Sequence, residues 1–384
     1  MWFQRRRLPG RLGPVGVFRL LVFQVIQVGL FVVLVRGTWA AVLGGAVGAL
    51  AIAVTFGRWR GRWWTESAML WLRFRRRRGI ADPRAEDPRL ATLSQLVPDL
   101  VVEDVDGADG SRLGMASDGA GWFAVLEVEP TEADVSPPVP LSALARIAAE
   151  AEQSGVVMQV VSHAMPATVE LGGGQRFLWV AVRLDAGAVA DSLVDDRDRQ
   201  VGVPTVLAEL TRRVDRALRR RGLKARTLDA DGVMDALVLS CDLAPAELPG
   251  GGGAPRSGAG GASLDQQPVL AREEWDAWHS PRLAHRCFWL ARWPDPERGT
   301  SLLAGLNDAP DARVSIALVL EPRHEPELTD LRCLVRVAAP ADRSRLAADH
   351  SMQLAERLGG RLYPLDGEHA LAVYGTAPSG GGAR

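Results

Sequence analysis

Lysine is all but missing from this 384-residue chain: Lys224 stands alone among 45 basic side chains. That absence removes most lysine-dependent chemistry. It also removes the P-loop, whose GxxxxGK[ST] pattern needs a lysine on the terminal phosphates; the glycine run at 250–253 has none. ATP-driven work by this chain is therefore not expected. No GxGxxG follows an apolar strand pattern and no GxSxG elbow occurs, which argues against dinucleotide binding and α/β-hydrolase chemistry. Cysteine is scarce too. Cys241, Cys287 and Cys333 are too few and too far apart for a disulfide framework and suit a reducing compartment. His279, His285 and Cys287 are possible metal ligands, yet no CxxC, HxxxH or HExxH pairs two of them at an established spacing, so no metal and no cofactor is expected. Asp104 with Asp106, and Asp229 with Asp231, form DxD pairs. In nucleotide-sugar enzymes such a pair holds a divalent ion, but both abut turns, where aspartate is favoured anyway.

Acidic residues are almost absent from one end. Residues 1–78 hold fourteen arginines against the single acid Glu66, a local charge of +13, which leaves −14 on residues 79–384. A body of that charge repels nucleic acid, whose binding requires neutralising phosphates. With hydrophobic residues at 47% and charged residues at 24%, wholesale disorder is excluded.

The basic end contains two apolar runs, 15–35 and 39–56, joined by Arg36-Gly37-Thr38. Each is long enough to cross a hydrocarbon core of about 30 Å as a helix, so residues 15–56 read as a transmembrane helical hairpin. Arginines precede it (Arg5, Arg6, Arg7, Arg11) and follow it (Arg58 to Arg78), and only Arg36 lies in the turn. The positive-inside rule then puts the N-terminus, residues 1–14, and the C-terminus in the cytoplasm, in a multi-pass protein of the cell membrane. Gln24 and Gln27 share a helix face and need partners in hydrocarbon; Ala40, Gly44 and Gly48 form a small-residue stripe that permits close helix packing. Residues 57–78 read as an interfacial amphipathic helix. Trp59, Trp63, Trp64 and Trp71 would sit at headgroup depth, with Arg73 and Arg75, Arg76, Arg77 and Arg78 facing anionic inner-leaflet lipid.

Beyond the basic end the patterns predict an α+β region in two halves, 79–248 and 263–375, around a glycine-rich linker at 249–262 and ending in a flexible tail at 376–384. Strand patterns at 121–128, 156–161 and 177–184 alternate with helical ones at 141–153 and 206–218, and 224–228 closes the first half. The second repeats the order at 285–292, 300–306, 313–320, 331–338, 341–358 and 361–365. Strand, helix, strand, strand, helix, strand is the split βαβ order, so the region reads as two ferredoxin-like βαββαβ halves or as one α+β domain with an insertion. Both halves end alike, Leu228-Asp229 and Leu365-Asp366.

An Arg-rich start, a two-helix hairpin, the segment RWRGRWWTESAMLWLRFRRRRG and an α+β cytosolic region together resemble the EccE family of the type VII (ESX) secretion machinery of high-GC Gram-positive bacteria, most closely over residues 10–78. The preference for arginine fits a high-GC genome. The resemblance implies a non-enzymatic scaffold subunit in a membrane complex with the channel-forming EccD, the membrane-anchored EccB and the FtsK-like ATPase EccC. Two other readings stay open at this point: a membrane-anchored sugar-nucleotide transferase using a DxD pair, and a membrane-tethered ligand-sensing module.

Overall fold

A computed structural model describes residues 2–4, 11–12, 15–16, 23–25, 27–29, 38–56, 58–59, 62–63, 68, 70–72, 74–75, 87–107, 110, 112–129, 139–167, 174–195, 202–243, 271–322 and 328–381. They fall in two units, one of residues 6–78 and one of residues 1–5 with 79–384. The expected linker at 249–262 lies outside the described residues.

The short strand β1 (Trp2–Gln4) belongs to the larger unit. The smaller unit holds a two-residue strand pair, β2 (Arg11–Leu12) and β3 (Val15–Gly16), and then helical residues at 23–25 and 27–29. Helix α1 (Thr38–Phe56) follows, apolar on all its faces. Its 19 residues rise about 28 Å, just short of a core of about 30 Å. Among the described residues no helix is long and apolar enough to cross a membrane, and most of the run at 15–35 lies outside them. The start of the expected interfacial helix is different: β4 (Arg58–Trp59) and β5 (Arg62–Trp63) pair antiparallel as a tight hairpin. Alternating Arg and Trp in this stretch suit a strand period of two. Among the described residues of this segment the helical ones are 68, 70–72 and 74–75.

In the larger unit helix α2 (Pro88–Leu93) precedes β6 (Val101–Asp106), β7 (Arg112–Ser117) and β8 (Gly121–Val128). Then come α3 (Leu141–Ala149), β9 (Val156–Met165), β10 (Gln175–Asp185), α4 (Ala186–Asp195), α5 (Val203–Arg219), β11 (Ala225–Thr227) and α6 (Ala230–Ser240). The second part runs β12 (Arg272–Glu273), β13 (Trp278–His279), β14 (Ala284–Arg292), α7 (Pro296–Asn307), β15 (Arg313–Pro322), β16 (Leu328–Ala339), α8 (Ser344–Arg357), β17 (Arg361–Pro364) and α9 (His369–Gly375).

One mostly antiparallel sheet runs through both halves. In the first, β11, β8, β10 and β9 lie side by side; in the second, β17, β14, β16 and β15 do. By order along the chain each set reads fourth, first, third, second. The halves meet where β9 pairs antiparallel with β15, Val161 opposite Ala317. At the edge of β16, β1 adds in parallel, Trp2 opposite Leu328 and Gln4 opposite Asp330.

Both faces of the sheet are covered, which is why strands such as 156–161 read as continuous apolar runs rather than alternating ones. Helices α3, α5, α7 and α8 lie on one face, where Leu144, Leu210, Val214, Leu302 and Ala355 pack on Leu126, Val180, Ile316 and Val335. Helices α2, α6 and α9 cover the other, packing Leu93, Leu237 and Val373 with Phe123, Trp179, Cys287 and Ala317. Of the tail expected to be flexible, 376–384, residues 376–381 are packed on the body and 382–384 lie outside the described residues. Ala377 and Ser379 are fully buried, because the first half supplies hydrogen-bond partners for the tail backbone.

Candidate functional site

The polar groups of this body converge on the face beneath α6 and α9, where each half's last helix reaches the other half. Asp229 caps α6 by accepting from the Gly232 amide at 2.9 Å. At the helix's far end the buried guanidinium of Arg336, on β16, donates to the Ser240 carbonyl and to Ser315 Oγ. Arg313 pairs with Asp242 just beyond. Helix α9 runs the other way. Its Gly375 carbonyl accepts from Gln159 Nε2 at 2.8 Å, and Tyr374 donates its hydroxyl to Asp118 Oδ2 at 3.0 Å. Arg183 grips Asp118 bidentately at 2.7 and 2.8 Å and donates to the Ser379 carbonyl at 2.9 Å. Gln159 Oε1 then accepts from the Gly380 amide at 2.7 Å. Gly380 has φ +78°, and a Cβ there would lie 2.4 Å from Arg183 Cβ, so only glycine fits this crossing.

Around Arg336 sits a second layer. Ser315 Oγ accepts from Arg336 and lies 2.8 Å from His163 Nδ1. Burial, with Arg336 and Arg313 nearby, lowers His163 to about 4 although Asp242 opposes the shift. His285 is lowered to about 3 for the same reasons. Burial disfavours ionised Asp242, but the adjacent positive groups hold its carboxyl below the usual range. Asp242 has φ +55°, the left-handed position after a helix where glycine is normal. Its carboxylate, bonded to Arg313, is what an aspartate adds there.

Ser280, His285 and Asp242 are arranged in the order of a nucleophile, a base and an orienting acid, with Ser280 Oγ 3.0 Å from His285 Nε2. His285 Nδ1, however, is 3.9 Å from Asp242 Oδ2, beyond hydrogen-bonding reach. Ser280 Oγ is engaged in its own turn with Leu283. A histidine held near 3 is no base at neutral pH. Burial pushes Cys241 up to about 11 and Cys287 and Cys333 up to about 12, the opposite of an activated thiol. What this geometry does is join the two halves, through Arg336 to Ser240 and Arg183 to Ser379.

The DxD aspartates serve turns and caps: Asp104 accepts from the Ala230 amide at 2.7 Å, and Asp231 pairs with Arg89. Substituting Asp229 by alanine removes the α6 cap and is expected to cost about 1 kcal/mol, measurable as a shift in urea midpoint. Among the described residues no three His, Cys, Asp or Glu side chains group to hold a metal. His279 faces Glu274 instead, and Cys287 Sγ lies 3.7 Å from the His369 carbonyl.

Of the residues singled out for membrane packing, Gln24 and Gln27 are helical and exposed, and Gly44 and Gly48 are half-buried within α1, the helix that also contains Ala40. Trp59 and Trp63 are in strands; Trp71 is exposed, with Arg75 stacked 4.0 Å over its ring. Trp64, Arg73, Arg76, Arg77 and Arg78 lie outside the described residues. Sequence reasoning missed Arg183, Arg336, Gln159 and His163. The signal was there: polar residues interrupt each of the apolar strands FLWVAVRLD, LRCLVRVAA and VVMQVVSHAM, and a polar side chain buried in such a strand requires a partner.

The comparison with known families gives a similarity over part of the chain. The model of the EccE family, described as a type VII ESX secretion system translocon, matches residues 173–290. The match begins at β10 and runs through α5 and the crossing helix α6 into β14. It thus falls in the body, not on the segment 10–78 where the sequence resemblance was closest. No curated protein matches the chain.

Proposed function

We propose that this EccE-like chain is a non-catalytic structural subunit of a type VII secretion membrane complex, one that supports assembly while a separate ATPase drives export. The match over residues 173–290 carries the reading. In this reading its neighbours are EccB, EccC and EccD, and residues 15–56 form a hairpin anchor with both ends cytoplasmic. Strand β1 supports that topology. Residues 2–4 are hydrogen-bonded to 328–330 of the body, so the chain between crosses any bilayer an even number of times. The 19 residues of α1 fall only an ångström or two short of the core, a deficit that local bilayer thinning takes up. The two four-stranded sets, with the same strand order and matching connections apart from the added helix α4, support a tandem of ferredoxin-like units serving as one rigid scaffold.

A labelling experiment tests the anchor. Cys287 is fully buried and reports nothing, so Leu346, 75% exposed, is the useful position in the body. An impermeant maleimide should modify Thr38→Cys in intact cells and Leu346→Cys only after permeabilisation. Labelling of Leu346→Cys in intact cells refutes the orientation. Gly44→Leu with Gly48→Leu should lower the yield of the detergent-purified complex while leaving insertion intact; an unchanged yield removes the glycines from the packing interface.

A further inference from the structure

We propose that the basic end of α5, from Arg212 through the turn at Gly222 to Arg226, is the surface on which the protein body rests against anionic lipid headgroups. This rests on the membrane-subunit reading above. Eight of these fifteen residues are basic (Arg212, Arg213, Arg216, Arg219, Arg220, Arg221, Lys224, Arg226) and one, Asp215, is acidic. The ion pairs do not neutralise them. Glu209 alone serves Arg212, Arg213 and Arg216, Asp215 serves Arg219, and Glu127 serves Arg226. Arg220, Arg221 and Lys224 are exposed, and among the described residues no carboxylate pairs with them; Arg220 Nε donates only to the Arg216 carbonyl.

Cations are favourable at any helix C-terminus, so the fold itself is the first explanation to examine. The second half provides the control. Gly222 and Leu223 donate to the Arg219 and Leu218 carbonyls, as Gly359 and Gly360 donate to those of Glu356 and Ala355. The Leu228 amide donates to Val125, as Leu365 donates to Cys287. Gly222 and Gly359 both take positive φ, +76° and +86°. These bonds align the two segments without a gap. Opposite the eight basic residues stand Asp349, His350, Gln353, Glu356, Arg357, Leu358, Arg361 and Tyr363, whose formal charges cancel. The same helix end, turn and strand form without the basic surface, so folding does not require it.

Charge then selects the partner. Residues 79–384 carry −14 and this stretch carries +7, so the remainder carries −21. An anionic bilayer repels that remainder and attracts this one face, which orients the body. Nucleic acid is the poorer partner, since the excess charge repels it and the stretch holds no aromatic side chain for base stacking. Nine residues, 79–87, link Arg78 to α2 and span at most about 30 Å. A tether that short makes weak headgroup contacts sufficient, because it keeps the local concentration high.

Lys224, the sole lysine, is a built-in reporter. The full chain is reconstituted in nanodiscs of phosphatidylcholine alone or with about one third phosphatidylglycerol. Acylation of Lys224 by an amine-reactive ester is then followed by mass spectrometry. The expected result is about tenfold slower acylation in the anionic discs, relieved by about 0.5 M salt and by Arg216→Ser, Arg220→Ser and Arg221→Ser together. Arg357→Ser with Arg361→Ser should change nothing. Equal rates in both discs, with the chain retained through alkaline wash, overturn the inference and leave the anchor reading standing. Protection by a poly-glutamate peptide or an RNA oligomer in neutral discs, without protection by anionic lipid, also overturns it. A chain that washes off the discs refutes the anchor reading and this inference with it.

Discussion

Arg183→Met is expected to destabilise the body by about 3–5 kcal/mol, the usual cost of removing one partner from a buried ion pair. Both side chains are out of solvent, 4% exposed for Arg183 and 0% for Asp118. The substitution leaves Asp118 with only the Tyr374 hydroxyl and the Ala120 amide, and it strips the Ser379 carbonyl of its donor. The double substitution with Asp118→Leu should recover much of the loss, because it removes the stranded charge as well. Urea unfolding of the four combinations measures the coupling. The tail adds a second readout: in Arg183→Met, residues 376–381 should become open to carboxypeptidase while the wild-type tail resists. If the single variant costs less than about 1 kcal/mol, the clasp contributes little to joining the halves.

Acid should weaken the protein well before its carboxylates titrate. His163 and His285 are held neutral, near 4 and 3, whereas an unfolded histidine titrates near 6.5. A lowered histidine contributes its full stability above about pH 6.5 and loses it as pH falls toward the folded value, because the unfolded chain binds the proton first. Two such groups give a slope of about 2.7 kcal/mol per pH unit below pH 6. Between pH 6.5 and 4.5 the loss is about 5 kcal/mol, comparable with the whole stability of many domains. Asp242, lowered in the fold, adds to the loss only below about pH 4. Thermal unfolding followed by circular dichroism at pH 7.5, 6.0 and 5.0 measures the slope. His163→Gln should remove roughly half of it. A melting temperature that stays constant across this range contradicts the neutral buried pair.

Local chemistry was sufficient for much of this. The spacing of Leu207, Leu210, Val214 and Leu218 identifies α5, glycines at 222 and 359 end α5 and α8 with positive φ, and Asp229 caps α6. Each signal acts within a few residues, so the strand, helix, strand, strand, helix, strand pattern of each half was legible in the sequence, although helices α4, α6 and α9 were not. The charge division was equally plain, and it does not depend on fold at all. Tertiary structure decided the rest. The sequence shows Gln159, Arg183 and Arg336 only as polar residues out of place in apolar strands. Their partners, Gly380, Asp118 and Ser240, come from segments that only the crossing of α6 and α9 brings near. Hydrophobic period predicts which face of a helix is buried, not which half of a sheet it crosses. For the same reason composition marks the end as a loose tail, yet at Ser379 and Gly380 a backbone carbonyl and a backbone amide meet Arg183 and Gln159 from the other half.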